Sequence, residues 1–316
     1  MDKRSAHVWS RNSLVKPRVV AILLLVFISG CASGTMFETT RPVIGTSYGV
    51  QMAALSPQDA ARVRNACPFG QPSIQRAQDY GQTYVVARDG YVLEEDAADR
   101  IPIWVCESVT KYQVTGPLTG GRISFKADPL LPSDARSVDA DYKNEPYDRG
   151  HNAPLADQSR DQRLRDETFF LSNVAPQDKV LNEQAWAELE KHVRDWAISR
   201  DSVHVITGSF FWDSTEDDPT TAKGFVHYKR IGKDNVSVPT HFYKIVTARR
   251  TDNSDWDVIA FVMPNQPIKR GVDFTKYIQP VSWIEKRTGV SFFPDLPLAK
   301  RRALESVKAS SFWPAQ

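Results

Sequence analysis

The pattern of hydrophobic and polar positions changes character several times along this chain. Near the N-terminus the apolar residues run together without interruption, as "VVAILLLVFI" from Val19 to Ile28. From residue 83 they gather instead into short β-branched and aromatic stretches. "TYVVARDGYVLEE" is two such stretches around Asp89-Gly90, which is a hairpin signal. "IPIWVCESVTKY" continues as a strand. "VHVITG" (203–208), "VSVPTHFYKIVTA" (236–248) and "WDVIAFVM" (256–263) predict further strands. Between the two groups the period changes. Val180, Leu181, Ala185, Leu189, Val193 and Trp196 recur at helical spacing, so 178–198 is expected to be the clearest helix. Shorter helices are expected after Ser56, with Pro57 at the first helical position, and over "SWIEKRTG", with Ser282 as cap and Gly289 as stop. Residues 116–150 hold "TGPLTGGR" and "DPLLPSD" and read as loop. Strands early and late around one long helix predict an α+β fold with a mostly antiparallel sheet, in one domain.

The N-terminal run is too short for a stable membrane span: ten residues of helix cover about 15 Å, half of a bilayer core. It follows Lys3, Arg4, Arg11, Lys16 and Arg18 and ends in "ISGC", Ile28 to Cys31. A basic flank, an apolar core and small residues before a cysteine resemble a bacterial lipoprotein signal. That resemblance implies cleavage before Cys31, lipidation of its thiol, and attachment to the cell envelope. Ala32 follows the cysteine where an Asp would favour the inner membrane, so the expected location is the outer membrane, facing the periplasm. A plain signal peptide with an incidental cysteine is the alternative. Residues 31–60 then read as the lipidated residue and a tether.

Loss of residues 1–31 changes the charge. The full chain has 40 basic and 38 acidic residues; the remainder keeps 35 against 37. Net charge therefore gives no support to a nucleic-acid partner, and any phosphate attraction must be local. Two cysteines remain, Cys67 and Cys106. An exported chain meets an oxidising compartment, where these two could bridge; two buried thiols are the other outcome.

The densest chemistry lies in "PYDRGHNAPLAD", residues 146–157. It is followed in order by "LSNVAPQ" (171–177), "LNEQAWAELE" (181–190), "VITG" (205–208), "VPTHFYKIV" (238–246), "AFVMPN" (260–265) and "TGVSFFPDL" (288–296). Together these blocks resemble the DNA/RNA non-specific endonuclease family of the ββα-metal, or His-Me finger, type, over roughly residues 66–297. The resemblance implies an antiparallel-rich sheet with flanking helices, a histidine loop and one metal-bearing helix, in a nuclease domain over 61–316. It implies hydrolysis of phosphodiester bonds in DNA and RNA with Mg²⁺, or Mn²⁺ as substitute, leaving 5′-phosphate ends.

The residue types suit that chemistry. A histidine titrating near neutrality can take the proton of an attacking water, and His151 is that candidate. Mg²⁺ keeps several waters, so one amide oxygen can hold it; Asn182 resembles the family's direct metal ligand. Asparagine is also a common helix cap. Glu190 stands eight residues further on, about 12 Å along the helix, where the family places an acid that reaches the ion's water shell. Arg149 could clamp phosphate oxygens, and Arg122 resembles a second phosphate-binding arginine, although it stands one residue out from the usual spacing. Asn173 is carried over as support for the site's geometry or for phosphate. Asp148 and Asn152 read as scaffolding, and Trp186 as packing under the site. His192, His204, His227 and His241 have no motif around them and read as structural. A phosphodiesterase acting on small diesters, and an inactive nucleic-acid-binding lipoprotein, are the two rival functions.

Overall fold

The computed structural model describes residues 7–10, 55–76, 79–117, 121, 123–214, 225–250, 252 and 255–314. Cys31, Arg122 and the tether up to residue 54 lie outside these residues, as does the signal segment apart from His7–Ser10 (β1). No helix among the described residues is long and apolar enough to cross a membrane.

The centre is a six-stranded antiparallel sheet. Its strands are Thr83–Ala87 (β3), Val92–Asp96 (β4), Ile101–Thr110 (β5), Ser202–Phe210 (β8), His241–Arg249 (β11) and Trp256–Pro264 (β12), in the order β12-β11-β8-β5-β4-β3. Two-residue strands Ser73–Ile74 (β2) and Val290–Ser291 (β13) pair with each other. Phe225–Ile231 (β9) lies between β1 and Val236–Val238 (β10). The remaining pair, Tyr147–His151 (β6) and Val174–Asp178 (β7), is an antiparallel two-stranded ribbon. With a mostly antiparallel sheet and flanking helices, the α+β expectation holds.

Period-2 alternation sends successive side chains of the sheet to opposite faces, and each face has its own core. One face packs Phe242, Val246, Val205 and Phe261 under the long helix, against Trp186, Leu189, Val193 and Trp196. The other packs Tyr243, Ile245, Trp104 and Ile206 against Phe69, Ile284, Phe292 and Phe293. Cys67 and Cys106 are bonded on this second face, joining the end of helix Pro57–Ala66 to β5 with 39 residues between them.

Several boundaries depart from the sequence pattern. The long helix runs Leu181–Ser199, and its first six residues, Leu181–Trp186, form a π-helical turn. The 236–248 stretch is two strands, because Pro239 lacks an N–H to continue the ladder. β5 stops at Thr110, whose side chain caps a short helix, Lys111–Val114, in a reciprocal capping box with Gln113. Helix Val281–Thr288 begins after Pro280 and not at Ser282; Gly289 does end it, at φ 69°. Ser56 caps its helix as expected, its hydroxyl accepting from the Asp59 N–H at 3.1 Å. The Asp148–His151 stretch, expected as loop, is strand β6: residues of low β-propensity are held extended by pairing with β7.

Candidate active site

The ribbon β6–β7 and the long helix form one ββα unit, and its side chains carry the expected site. Their positions follow from the register. Asp148 pairs with Gln177, Arg149 with Pro176, Gly150 with Ala175 and His151 with Val174. The Gln177 side chain covers Gly150: a Cβ there would stand 2.3 Å from its oxygen. Any larger residue would have to displace that side chain beside the histidine.

His151 is held in place by rings. Phe125 lies 5.2 Å from its imidazole, and Phe169 meets it edge-on at 5.7 Å. The chain beyond is locked by Asn173. Its Oδ1 accepts from the Ala153 N–H at 2.9 Å, and its Nδ2 donates to the Ala153 and Thr168 carbonyls at 2.9 and 3.1 Å. Asn173 is fully buried, so of the two roles carried over for it the structure provides support of geometry. Asn152 adds to the same lock through the Asn173 carbonyl, at 2.9 Å from its N–H and 3.2 Å from its Nδ2.

Asn182 sits in the π-helical turn, half-buried, and its Nδ2 donates to Asp148 Oδ2 at 2.9 Å. This contact fixes which way the amide points. An ionised carboxylate only accepts, so the NH₂ must face Asp148 and the Oδ1 must face away. The residue read as loop scaffolding is thus the one that presents the Asn182 oxygen. Among the described residues no group of three or more His, Cys, Asp or Glu side chains forms a metal cage. A cation that keeps most of its waters fits a single oriented amide oxygen, whereas one that demands a full protein shell does not.

Arg149 reaches out of β6 between the rings of Phe125 and Tyr142, at 5.4 and 5.2 Å. Its partner is Asp139, at 2.6 Å, and not the adjacent Asp148. The side chain keeps 24% of its surface exposed.

Glu190 lies on the buried side of the helix, in a cluster of charges drawn from four elements. Burial raises its pKa to about 7, opposed by Lys244 and Arg194 and reinforced by Asp157. Arg194, one turn further on, binds Asp157 at 2.9 Å and so ties the helix to the segment following His151. The sequence motifs did not single out Arg194. Its signal was its spacing: it stands at i+4 from Glu190 on one face.

Three of the other histidines, His192, His204 and His241, pack among aromatic rings. His204 is pressed by Phe69 and Trp256, and His241 by Phe210 and Trp212; burial lowers both pKa values to about 4. His192 packs in rings with Trp196, Phe274 and Phe312, and His227 is exposed on β9. Trp186 is buried against Phe242, as expected of a residue packing beneath the site.

The chain is similar to known nucleases in sequence and fold. The model of the DNA/RNA non-specific endonuclease family matches residues 73–299. Human mitochondrial endonuclease G is 35% identical over 231 residues, which cover 73% of this chain and 76% of that protein. Nuclease C1 of Cunninghamella echinulata var. echinulata is 35% identical over 234 residues, covering 73% and 88%. A crystal structure described as an EndoG/EndoGI complex superposes with a TM-score of 0.67 at 33% identity, covering 75% of this chain and 93% of that one.

Proposed function

From the premise that this chain belongs to the DNA/RNA non-specific endonuclease family, we propose that it is a divalent-cation-dependent endonuclease cutting both DNA and RNA. The observation that carries the proposal is the Asp148–Asn182 hydrogen bond, which presents one amide oxygen beside the strand bearing His151. Mg²⁺, with Mn²⁺ as substitute, would be held by Asn182 Oδ1 and would supply Lewis-acid stabilisation of the charge on the departing 3′ oxygen.

The remaining work falls to the chain's own groups. The His151 imidazole takes the proton of the attacking water, held at its angle by Phe125 and Phe169. The Arg149 guanidinium binds a phosphate oxygen as negative charge grows on phosphorus. The Glu190 carboxylate would accept a hydrogen bond from water held beside the cation. Asn173 keeps the strand end from moving. In-line attack on phosphorus with loss of the 3′ oxygen leaves 5′-phosphate and 3′-hydroxyl ends. Arg122 would add a second phosphate contact.

The proposal extends to the cell: residues 1–30 are removed, Cys31 is lipidated, and residues 31–60 tether the nuclease to the outer membrane, facing the periplasm. Such cleavage would also remove β1 and free one edge of β9. What supports this is the order of basic flank, apolar core and "SGC" at residues 29–31.

The test is residues 32–316 with plasmid DNA and RNA, with Mg²⁺ or EDTA. The expected result is cation-dependent cleavage of both polymers, with His151→Ala lowering kcat on the order of 10²–10⁴-fold. Full cleavage by His151→Ala, or none by the unaltered protein, overturns the proposal. The balanced net charge gives the small-diester reading its support, and faster turnover of a dinucleotide than of plasmid would favour it. Fatty-acid labelling of the full chain in a bacterial host tests the anchor, and an unlabelled Cys31 refutes it.

A further inference from the structure

Arg149 stands two positions before His151 on β6, and an acid already occupies it. Asp139, 58% exposed, opens a 3₁₀ turn, Asp139–Tyr142, in the segment before β6. The Arg149 Nη2 donates to Asp139 Oδ1 at 2.6 Å and to the Asp139 carbonyl at 3.1 Å. Nη2 is the nitrogen that a phosphate most needs. A guanidinium offers an oxyanion two forks, Nε with Nη2 along its side and Nη1 with Nη2 at its end, and Nη2 belongs to both. The Arg149 Nε is buried and has no hydrogen-bond partner among the described residues. The side fork thus has one donor unpartnered and the other taken.

Holding Arg149 in place does not need the Asp139 carboxylate. The rings of Phe125 and Tyr142 flank the guanidinium at 5.4 and 5.2 Å, and the Asp139 carbonyl accepts from it. The backbone that supplies this carbonyl is fixed. Asp141 is buried; its carboxylate accepts from the Val138 N–H at 2.9 Å and from the Asp234 N–H, in the turn between β9 and β10, at 3.0 Å. Tyr142, which ends the turn, is buried as well. The exposed Asp139 side chain, by contrast, can rotate into water. What the carboxylate adds is a charge-assisted bond that an arriving phosphate must replace.

We infer that Asp139 is a specificity-determining residue of the nuclease: its carboxylate occupies the phosphate fork of Arg149 and so selects polymer over small diesters. The inference rests on the phosphate-binding role proposed above for Arg149. A polymer brings flanking phosphates, and the counterions they release hold it on the surface while one phosphate displaces the carboxylate. A dinucleotide has one phosphate and no such hold, so it meets the full competition of Asp139. The competitor is weak enough to be displaced, because ion pairs this exposed shift an equilibrium by about 5-fold or less. Removing it should tighten binding, which damage to the site cannot do.

The experiment uses residues 32–316, which hold every described residue except β1. The variants are Asp139→Ala, the isosteric Asp139→Asn, Arg149→Ala and the double variant Asp139→Ala/Arg149→Ala. Rates with Mg²⁺ are compared on plasmid and on a dinucleotide; where dinucleotide turnover is too slow, its inhibition constant against plasmid takes the place of KM. Asp139→Ala is expected to lower KM for the dinucleotide about 3- to 5-fold with kcat unchanged, and KM for plasmid by less than about 2-fold. Asp139→Asn should shift both in the same direction by less, since its amide oxygen still accepts. In the Arg149→Ala background the Asp139 substitution should change nothing. On the metal-free protein, inorganic phosphate titrated against the ¹⁵N side-chain resonance of Arg149 should bind about 3- to 5-fold more tightly once Asp139 is alanine. A dinucleotide KM that stays or rises, an equal gain on both substrates, a gain that persists without Arg149, or an unchanged phosphate affinity overturns the inference. If Asp139→Ala does not fold, Asp139→Asn decides by the same signs. Tighter phosphate binding by a protein that cleaves neither substrate would sink the nuclease reading and leave the competition between Asp139 and phosphate standing.

Discussion

The two faces of the central sheet bury polar groups in opposite ways. On the helix face, Lys244, Glu107 and Asp157 are buried, Asp157 is paired with the partly exposed Arg194, and Asn173 and Asp148 hold backbone and amide through hydrogen bonds. On the other face, His204 and His241 are buried against aromatic rings, and the cross-link there is covalent, Cys67 to Cys106. The same residue type therefore behaves differently on the two sides. Rings and hydrocarbon keep His204 and His241 neutral and out of chemistry. His151, on the ribbon and half-buried, keeps a ring held by Phe125 and Phe169 beside the charged guanidinium of Arg149. Rigidity is common to both faces; the helix face alone gains oriented polar atoms from it.

Substitutions on the two faces should separate stability from activity. Breaking the covalent link comes first. Closing 39 residues restricts the unfolded chain by about 4 kcal/mol in the loop-entropy model, so Cys106→Ala should lower the denaturation midpoint strongly and leave kcat of the folded fraction unchanged. A parallel loss of kcat would show that the faces are coupled. Asn173→Ala follows, at about 3 kcal/mol, since it strips buried backbone groups of three hydrogen bonds. Here both melting temperature and kcat should fall, because the strand end beside His151 is released. Asp148→Asn should spare stability but weaken cation affinity by about 10- to 100-fold, as a neutral partner no longer dictates the Asn182 amide. Titration with Mn²⁺ measures it, and unchanged affinity would refute the orienting role.

The smallest effect is on pH dependence. His204 binds its proton more weakly folded than unfolded, so the folded state loses stability as pH falls from about 6.5 to about 4. His204→Phe should flatten that part of the stability curve, as read from urea midpoints, with no change in cleavage.

Much of the sheet and the long helix was readable because each buries a face with a regular period; Val180 to Trp196 announce theirs outright. Strand β6 was not, since Asp148, Arg149, Gly150 and His151 are extended only through pairing with a segment 23 residues or more away. The candidate site residues stand in ordered blocks of the sequence. Their pairings are not written there: Asp148 with Asn182 and Arg194 with Asp157 are separated by 34 and 37 positions. Lys244 in "HFYKIV" looks like one polar residue in a strand, and nothing in the sequence shows that it is buried and bonded to Thr207, 37 positions away.

The π-helical turn at Leu181–Trp186 sets a phase. In an unbroken α-helix, residues eight apart are rotated by about 80° from one another, at about 100° per residue. A π-helical turn takes up one extra residue, so Asn182 and Glu190 relate as if seven apart, within about 20° of the same meridian. Regularising the turn to an ordinary α-helix with no residue deleted would set the amide and the carboxylate about 80° apart. The extra residue works as an indexing tooth, aligning two polar groups that the helical repeat alone would leave in different quadrants.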